Sequence, residues 1–301
     1  VDGLATVPGT DLITLVVEPH RFASGDADDG GRPAGGAAGA AGAAGDRRDA
    51  AAQPPLPQPL LTVEGDIYRH LFRARRVGVG ERLRVVDGEG RARWGEVIQV
   101  GRSAALVELA EPAAPNEPRL RLEVLVATLR PERASWLVEK ATEIGAGAVR
   151  FLNTERGPRS FGAGTAERLR RVAIAAVEQC HRARCPEVTG PHAFAEVTDF
   201  AADAENRWLL DPTAPGFASP TQPSPSKSPK ESLLVGPEGG WSPAELETLE
   251  AGGWQRISLG PRILRIETAV VAGAALLLLR NNVGEIESAT LLPGRRRDPQ
   301  P

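Results

Sequence analysis

The sequence predicts an α/β protein on a mainly parallel sheet, preceded by a smaller β-rich module. Three observations carry this. Strand-like and helix-like segments alternate from residue 121 to residue 280, the order that gives a parallel sheet with helices on both faces. Ahead of them, short strand-like runs flank an Asp87-Gly88 turn and read as a β module. The 301 residues, 41% hydrophobic and 25% charged, have the balance of a globular chain with room for about two domains.

The N-terminal module opens with the apolar run Leu12–Glu18. Residues 24–59, rich in Gly, Ala and Pro, hold no apolar period and read as a disordered insert. Residues 67–76 (IYRHLFRARR) read as a helix, and Arg82–Val86 and Ala92–Val100 as a hairpin. Ala104–Leu109 adds a strand before the proline-punctuated linker 112–118. The second block begins with the apolar strand Arg121–Ala127. Pro131 then sits at a first helical position, where its missing N–H costs nothing. Ala134, Leu137, Ala141 and Ile144 recur at helical spacing, and Gly145 stops the helix. Ala148–Leu152 is a strand, and Thr165 starts a helix to about His181 with Leu169, Val172, Ala176 and Cys180 on one face. Arg207–Leu210 and Ser232–Val235 are short strands around a second low-complexity insert, 212–230. Ser242-Pro-Ala-Glu245 is a capping box, and Gly252-Gly253 ends its helix. Ile257–Leu259 is a strand, Glu267–Arg280 an apolar helix, and residues 289–301 a mobile tail.

Composition excludes several classes. A net charge of −3 rules out a uniformly basic coat, though not a local basic face. Two cysteines build no disulfide framework and no four-cysteine zinc site, and four histidines make a His-rich metal site an unfavoured reading. The expectation is no metal. The longest apolar run, Thr268 to Leu279, falls short of the about 20 residues a bilayer requires. With no signal-peptide pattern, a soluble cytoplasmic protein is expected. Of the basic residues only Lys140, Lys227 and Lys230 are lysine, so arginine frequency alone does not signal nucleic acid.

Phosphate-loop, dinucleotide-fingerprint and nucleophile-elbow motifs are all missing. The informative pattern lies in the C-terminal third. LLVGPEGG (233–240) runs from a buried strand into a Gly-Pro loop and a capped helix. Some twenty residues on, Ile257–Gly260 and PRILRIET (261–268) repeat it. Two such loops side by side at the carboxyl edge of a sheet are where open α/β sheets bind ligands, and glycine lets a ligand approach the backbone.

GPEGGWSPAELETL followed by LGPRILRIETA resembles the C-terminal signature of the SPOUT (α/β-knot) methyltransferases, and more narrowly of the RsmE family, which methylates N3 of a uridine in 16S ribosomal RNA. LRPERASWLVEKATEIGA (129–146), NTERG (153–157), AAVEQCHRARCPEV (175–188), HRF (20–22) and residues 69–90 resemble further family blocks. The resemblance implies a PUA-like β-barrel RNA-binding domain over 1–118 and a SPOUT trefoil-knot domain over 119–288. Three positions depart from the family pattern: Ile266 for Thr, His181 for Gly, and Cys185 for Val.

The resemblance also implies S-adenosylmethionine as methyl donor. Its cofactor positions map onto Leu234, Val235, Gly236, Pro237, Gly239, Leu259, Gly260, Pro261, Leu264 and Thr268. An imide nitrogen is mostly protonated at neutral pH, so its proton must be removed or the anion stabilised. Glu267 is the candidate base, although an acid at a helix start is equally explained by the dipole. Arg262 and Arg265 are candidates to stabilise charge on O2 or O4, or to bind a phosphate or the cofactor carboxylate. For RNA, residues 69–76 hold four arginines and no acid, and 150–184 hold eight arginines against three glutamates. Arg21, Arg69, His70, Arg73, Arg76, Arg182 and Arg184 are the RNA candidates; a solvated face in an arginine-rich chain is the bland alternative. The expected partners are 16S rRNA within the 30S subunit and a second copy of the chain, because SPOUT sites are usually completed across a dimer. The rivals are a SPOUT enzyme acting on another RNA position or atom, and a non-catalytic RNA-binding assembly factor.

Overall fold

The computed structural model describes residues 12–19, 59–158, 161–162, 164–214, 226 and 228–286, with side chains described through Asn281. The bulk of the 24–59 insert, the centre of 212–230 and the whole 289–301 tail lie outside these residues. The described chain falls into two compact units. One spans positions up to Asp87 together with Ala92–Ala114; the other holds Gly88–Arg91 and the chain from Pro115 onward.

The first unit is a five-stranded sheet of order β1-β3-β4-β5-β2, formed by β1 (Ile13–Val16), β2 (Leu60–Glu64), β3 (Arg82–Val86), β4 (Ala92–Val100) and β5 (Ala104–Pro112). β1 runs parallel to β3 and every other pairing is antiparallel. Leu15, Leu83, Val85, Val97, Val107 and Leu109 fill its core against Tyr68, Leu71 and Phe72. Those three come from the segment expected to be one helix. It is instead a single α-turn, α1 (Gly65–Tyr68), continuing as a π-helix over Arg69–Ala74. The amide of Arg75 donates to the His70 carbonyl at 3.0 Å, the i−5 spacing of that wider coil. β2 was not expected: five residues beside a proline run carry too little pattern, although Leu61 and Val63 alternate inward.

The second unit is a six-stranded sheet of order β11-β9-β10-β6-β7-β8, every pairing parallel. Its strands are β6 (Arg121–Ala127), β7 (Ala148–Asn153), β8 (Glu187–Ala193), β9 (Asn206–Leu210), β10 (Lys230–Val235) and β11 (Gln255–Ile257). Helices α2 (Pro131–Ile144), α3 (Thr165–Cys180) and α6 (Ile266–Ile286) share one core with Val124, Val126, Phe151 and Leu233. The short α4 (Val197–Phe200) and α5 (Pro243–Ala251) enclose a second core with Leu125, Leu152, Leu209 and Leu234. Alternate residues of β6, β7 and β10 therefore enter different cores, as a pleated strand buried on both faces requires. β8 escaped the sequence reading because EVTGPHA holds no apolar run and Gly190-Pro191 has the look of a turn, and β11 sits two residues earlier than expected.

Local chemistry sets the helix ends. Pro131 occupies the first turn of α2, and Gly145 caps it at φ 107°, a left-handed backbone that an L-side chain resists. The α3 C-cap is His181, at φ 59° and ψ 34°. The expected glycine stands at a left-handed position, which explains that family preference and makes His181 a strained substitute. Gly164, not Thr165, is the α3 N-cap; Thr165 lies inside the first turn and is buried. The α5 capping box is complete. Ser242 Oγ accepts from the Glu245 amide at 3.3 Å, and Glu245 Oε2 accepts from the Ser242 amide at 2.8 Å.

Candidate active site and RNA-facing surface

Strands β9, β10 and β11 end at the same edge of the sheet, and the loops after them enclose a cavity of about 440 Å³. That is within the range of small-molecule sites, about 300–1,000 Å³. Leu210–Thr213 form one wall, Val235–Glu238 with Gly240 and Trp241 a second, and Leu259, Gly260 and Arg262–Leu264 a third; Ile266 and Ala269 of α6 close the floor. The loop after β10 is drawn tight by the Gly240 amide, which donates to the Pro237 carbonyl at 2.9 Å. Gly236 gives this loop its shape: a Cβ there would stand 2.7 Å from Trp241 Cε2. Arg156, from the loop after β7, reaches across and donates to the Gly239 carbonyl at 3.3 Å. Glu245 Oε1 accepts the Glu155 amide at 2.8 Å, so the α5 cap also anchors that loop.

A charged brace holds the β9 and β11 walls. Asp211 Oδ1 accepts from the Thr213 amide at 2.8 Å and its hydroxyl at 2.7 Å, while Oδ2 accepts from Arg256 Nε at 2.8 Å. Burial pushes the Asp211 carboxyl up, but the Thr213 and Arg256 hydrogen bonds outweigh it and hold it below its ordinary value of 3.8.

Of the ten cofactor candidates, Val235, Gly236, Pro237, Leu259, Gly260 and Leu264 line the cavity. The other four do not. Leu234 points into the core on the α5 side, Gly239 lies against Arg156, and Pro261 and Thr268 are exposed away from the lining. Arg262 is on the wall, whereas Arg265 is exposed outside it. Glu267 is buried in the first turn of α6, 3.9 Å from Arg133 Nε, and its Oε2 has no hydrogen-bond partner. Two more buried oxygens without a partner, Asn153 Oδ1 and Thr154 Oγ1, lie at the end of β7. The Ile266 side chain, at the position noted for its missing hydroxyl, is buried in the floor. Sequence reasoning missed Asp211, Thr213, Trp241, Arg256 and Arg133. Thr213 was absorbed into the Ser/Pro-rich insert and Asp211 directly precedes it; counting three strand ends at the sheet edge would have pointed to both.

The RNA candidates divide. In the first unit Arg69, His70, Arg73 and Arg76 are all exposed. Arg69 and Arg73, with Tyr68, Arg102 and Ser103, line a concave surface of about 750 Å³. Arg73 lies 5.5 Å over the Tyr68 ring and donates to the Arg102 carbonyl at 2.6 Å. Arg69 pairs with the exposed Asp66. In the second unit Arg182 corrects the expectation. It is only 3% exposed and meets Glu117 at 2.7 Å, and its Nη1 donates to the carbonyls of Thr142 at 2.8 Å and Ala146 at 3.0 Å. Its guanidinium is spent inside the fold. Arg184 is half-buried with its guanidinium against Gly90, and Arg21 lies outside the described residues. Among the described residues no group of three or more His, Cys, Asp or Glu could hold a metal, and no helix is long and apolar enough to cross a membrane. Cys180 and Cys185 are free thiols; burial pushes Cys185 up to about 11, which removes it as a nucleophile at neutral pH.

Residues 115–278 match the RNA methyltransferase domain family, and residues 63–110 the RNA methyltransferase PUA domain family. A protein of Mycobacterium bovis named ribosomal RNA small subunit methyltransferase E is 32% identical over 226 residues, 72% of this chain and 86% of its own length. This chain belongs to the ribosomal RNA small subunit methyltransferase E family. A Synechocystis member is 31% identical over 212 residues, covering 68% of each chain. Among solved structures, the methyltransferase E of Neisseria gonorrhoeae, bound to S-adenosyl methionine, superposes with a TM-score of 0.66 at 25% identity, over 75% of this chain and 93% of that one. A Legionella pneumophila methyltransferase in complex with the cofactor SAM gives 0.63 at 26%, over 75% and 93%. The fold is thus the SPOUT methyltransferase fold with an N-terminal PUA-like domain, as methyltransferase E family members carry it.

Proposed function

We propose that this chain transfers the methyl group of S-adenosylmethionine to N3 of a uridine in 16S ribosomal RNA of the small subunit. The observation that carries this is the cavity walled by three successive strand-end loops, in a chain whose family members are named for small-subunit rRNA methylation. The cavity fits the cofactor chemically. Val235, Leu246, Leu259 and Ile266 offer apolar surface to an adenine, and the loops around Gly236 and Gly260 bring backbone within reach of it. When bound, S-adenosylmethionine supplies a methyl group on a sulfonium, poised for in-line displacement.

The chain's own residues then handle the acceptor. Glu267, next in sequence to Ile266 of the cavity lining, is assigned the N3 proton. Arg262, on the cavity wall, stabilises the charge that develops on the uracil oxygens, and Arg265, exposed outside the lining, takes a phosphate. The loops at the sheet edge would hold the cofactor and restrict the orientation of the acceptor beside it. Arg69, Arg73 and Arg76 of the first unit take the phosphates, and the target base is presented unstacked. The proposed assembly is a homodimer working on cytoplasmic 30S subunits. Trp136, Ile174 and Leu279, exposed by 43%, 39% and 58% on α2, α3 and α6, supply apolar surface for a second copy.

The test is methyl transfer from radiolabelled S-adenosylmethionine to 30S subunits lacking the modification, with the nucleoside identified by mass spectrometry. The expected product is 3-methyluridine. A labelled product at another atom, or none despite cofactor binding, overturns the substrate assignment. Light scattering showing a monomer at working concentration overturns the dimer.

A further inference from the structure

Arg133 stands where local physics disfavours it. It lies in the first turn of α2, two residues after Pro131, and the positive end of the helix dipole repels a cation there. Its compensation comes from two other elements. Nη1 donates to Glu238 Oε1 at 3.2 Å, and Nε lies 3.9 Å from Glu267 Oε1. Glu238 belongs to the cavity wall after β10; Glu267 belongs to the first turn of α6. One guanidinium therefore joins the loop that lines the cavity to the carboxylate assigned to the acceptor. The arithmetic of charge matters as well: one cation serves two carboxylates, and Glu267 Oε2 is buried without a partner. A buried carboxylate oxygen left bare is costly, so the charge of Arg133 is what offsets the burial of Glu267 in the observed arrangement.

We propose that Arg133 is a positioning residue. It holds Glu267 by Oε1, and through Glu238 it makes the placement of that carboxylate depend on the state of the cofactor loop. This rests on the role given to Glu267 above. A departure from a local rule that is offset only by tertiary partners is the kind expected at functional sites.

The test compares Arg133→Ala, Arg133→Lys and Glu267→Gln, and the Arg133→Ala/Glu267→Gln pair. The readouts are S-adenosylhomocysteine affinity by calorimetry and single-turnover methyl transfer at saturating 30S subunits; Arg133→Gln replaces the alanine variant if that one does not fold. Arg133→Ala should slow the single turnover by roughly 10- to 100-fold, the scale of a misplaced catalytic group, and weaken S-adenosylhomocysteine binding several-fold. Arg133→Lys should recover most of both losses. Added to Glu267→Gln, Arg133→Ala should cost nothing further in rate, because residues that act as a unit are not additive. Full additivity overturns the proposal, and so does a wild-type rate for Glu267→Gln. A raised KM for subunits with an unchanged maximal rate also overturns it, since Arg133 would then be a phosphate contact. Failure of the parent reading shows separately, as absence of 3-methyluridine from the wild-type protein.

Discussion

One methyl group added at Gly236 should cost the cavity its ligand without unfolding the chain. A Cβ built there lies 2.7, 2.8 and 2.9 Å from Cε2, Nε1 and Cζ2 of Trp241. Carbon atoms rest comfortably at about 3.5–4.0 Å, so ring and loop must part by about 1 Å. The ring has little room to retreat, because it packs on the core of Leu249 and Trp254 and stands 5.7 Å from the Phe194 ring centroid. Overpacking of this kind costs about 1–3 kcal/mol. Gly236 and Trp241 both line the cavity, so the displacement falls on the ligand's contacts. Gly236→Ala should therefore weaken S-adenosylhomocysteine binding at least tenfold, or about 1.4 kcal/mol, as read by titration calorimetry. The comparison is Gly253→Ala. Gly253 sits at φ 74° away from the cavity lining, where the strain costs about 1–2 kcal/mol of stability and should leave affinity intact. Unchanged affinity in Gly236→Ala, or an equal loss in Gly253→Ala, would refute the steric account.

Arg182→Ala should lower stability by about 3–5 kcal/mol, the scale for breaking a buried ion pair, since it removes the cation paired with Glu117 and a donor to two carbonyls; the RNA affinity of the folded fraction should not change, as filter binding would show. Arg69→Ala with Arg73→Ala should do the reverse, leaving the melting temperature in place. It should also flatten the dependence of RNA affinity on salt by about 0.7–0.9 logarithmic units for each phosphate no longer neutralised. The Asp211 brace predicts a pH effect. Its carboxyl is depressed in the fold, so its contribution is complete above the ordinary value of 3.8 and is lost as pH falls through the lower folded value. Melting curves on acidification should show that loss, and Asp211→Asn should flatten it. His181→Gly should raise the melting temperature slightly, because it replaces a left-handed histidine with a residue that carries no penalty there.

Much of the second unit was legible because its signals are local and mutually consistent. Pro131 and Gly145 bracket α2, Ser242 and Glu245 open α5, and unbroken apolar runs mark β6 and β10. Elements whose signal is weak were lost, as with β8, where Gly190-Pro191 has the look of a turn, and β2 beside the prolines. In the site, loop residues contiguous with a motif were within reach. Asp211 was not, because strand order rather than neighbourhood in sequence brings it to the site, and Arg133, although inside the block 129–146, is tied to the site only by helix packing. Arg182 shows the converse hazard: a basic residue in a family-like block reads as a surface group, and only burial reveals that it holds the fold together.

The strand order sets a timetable for the nascent chain. β9 pairs only with β10 and β11, both later in the chain, and β10 must slot between β9 and β6. While β6, β7 and β8 can pair as they emerge, β9 has no neighbour until β10 is synthesised, and α6, which covers the central strands, follows later still. At about 5–20 residues per second this leaves β6 with a bare, apolar edge for seconds, the kind of edge that recruits other strands. Among the described residues, the cavity lining comes entirely from 210–269. If the cavity is the methyl donor's site, as proposed, a partial chain cannot engage the donor, and cofactor binding reports that synthesis has reached α6.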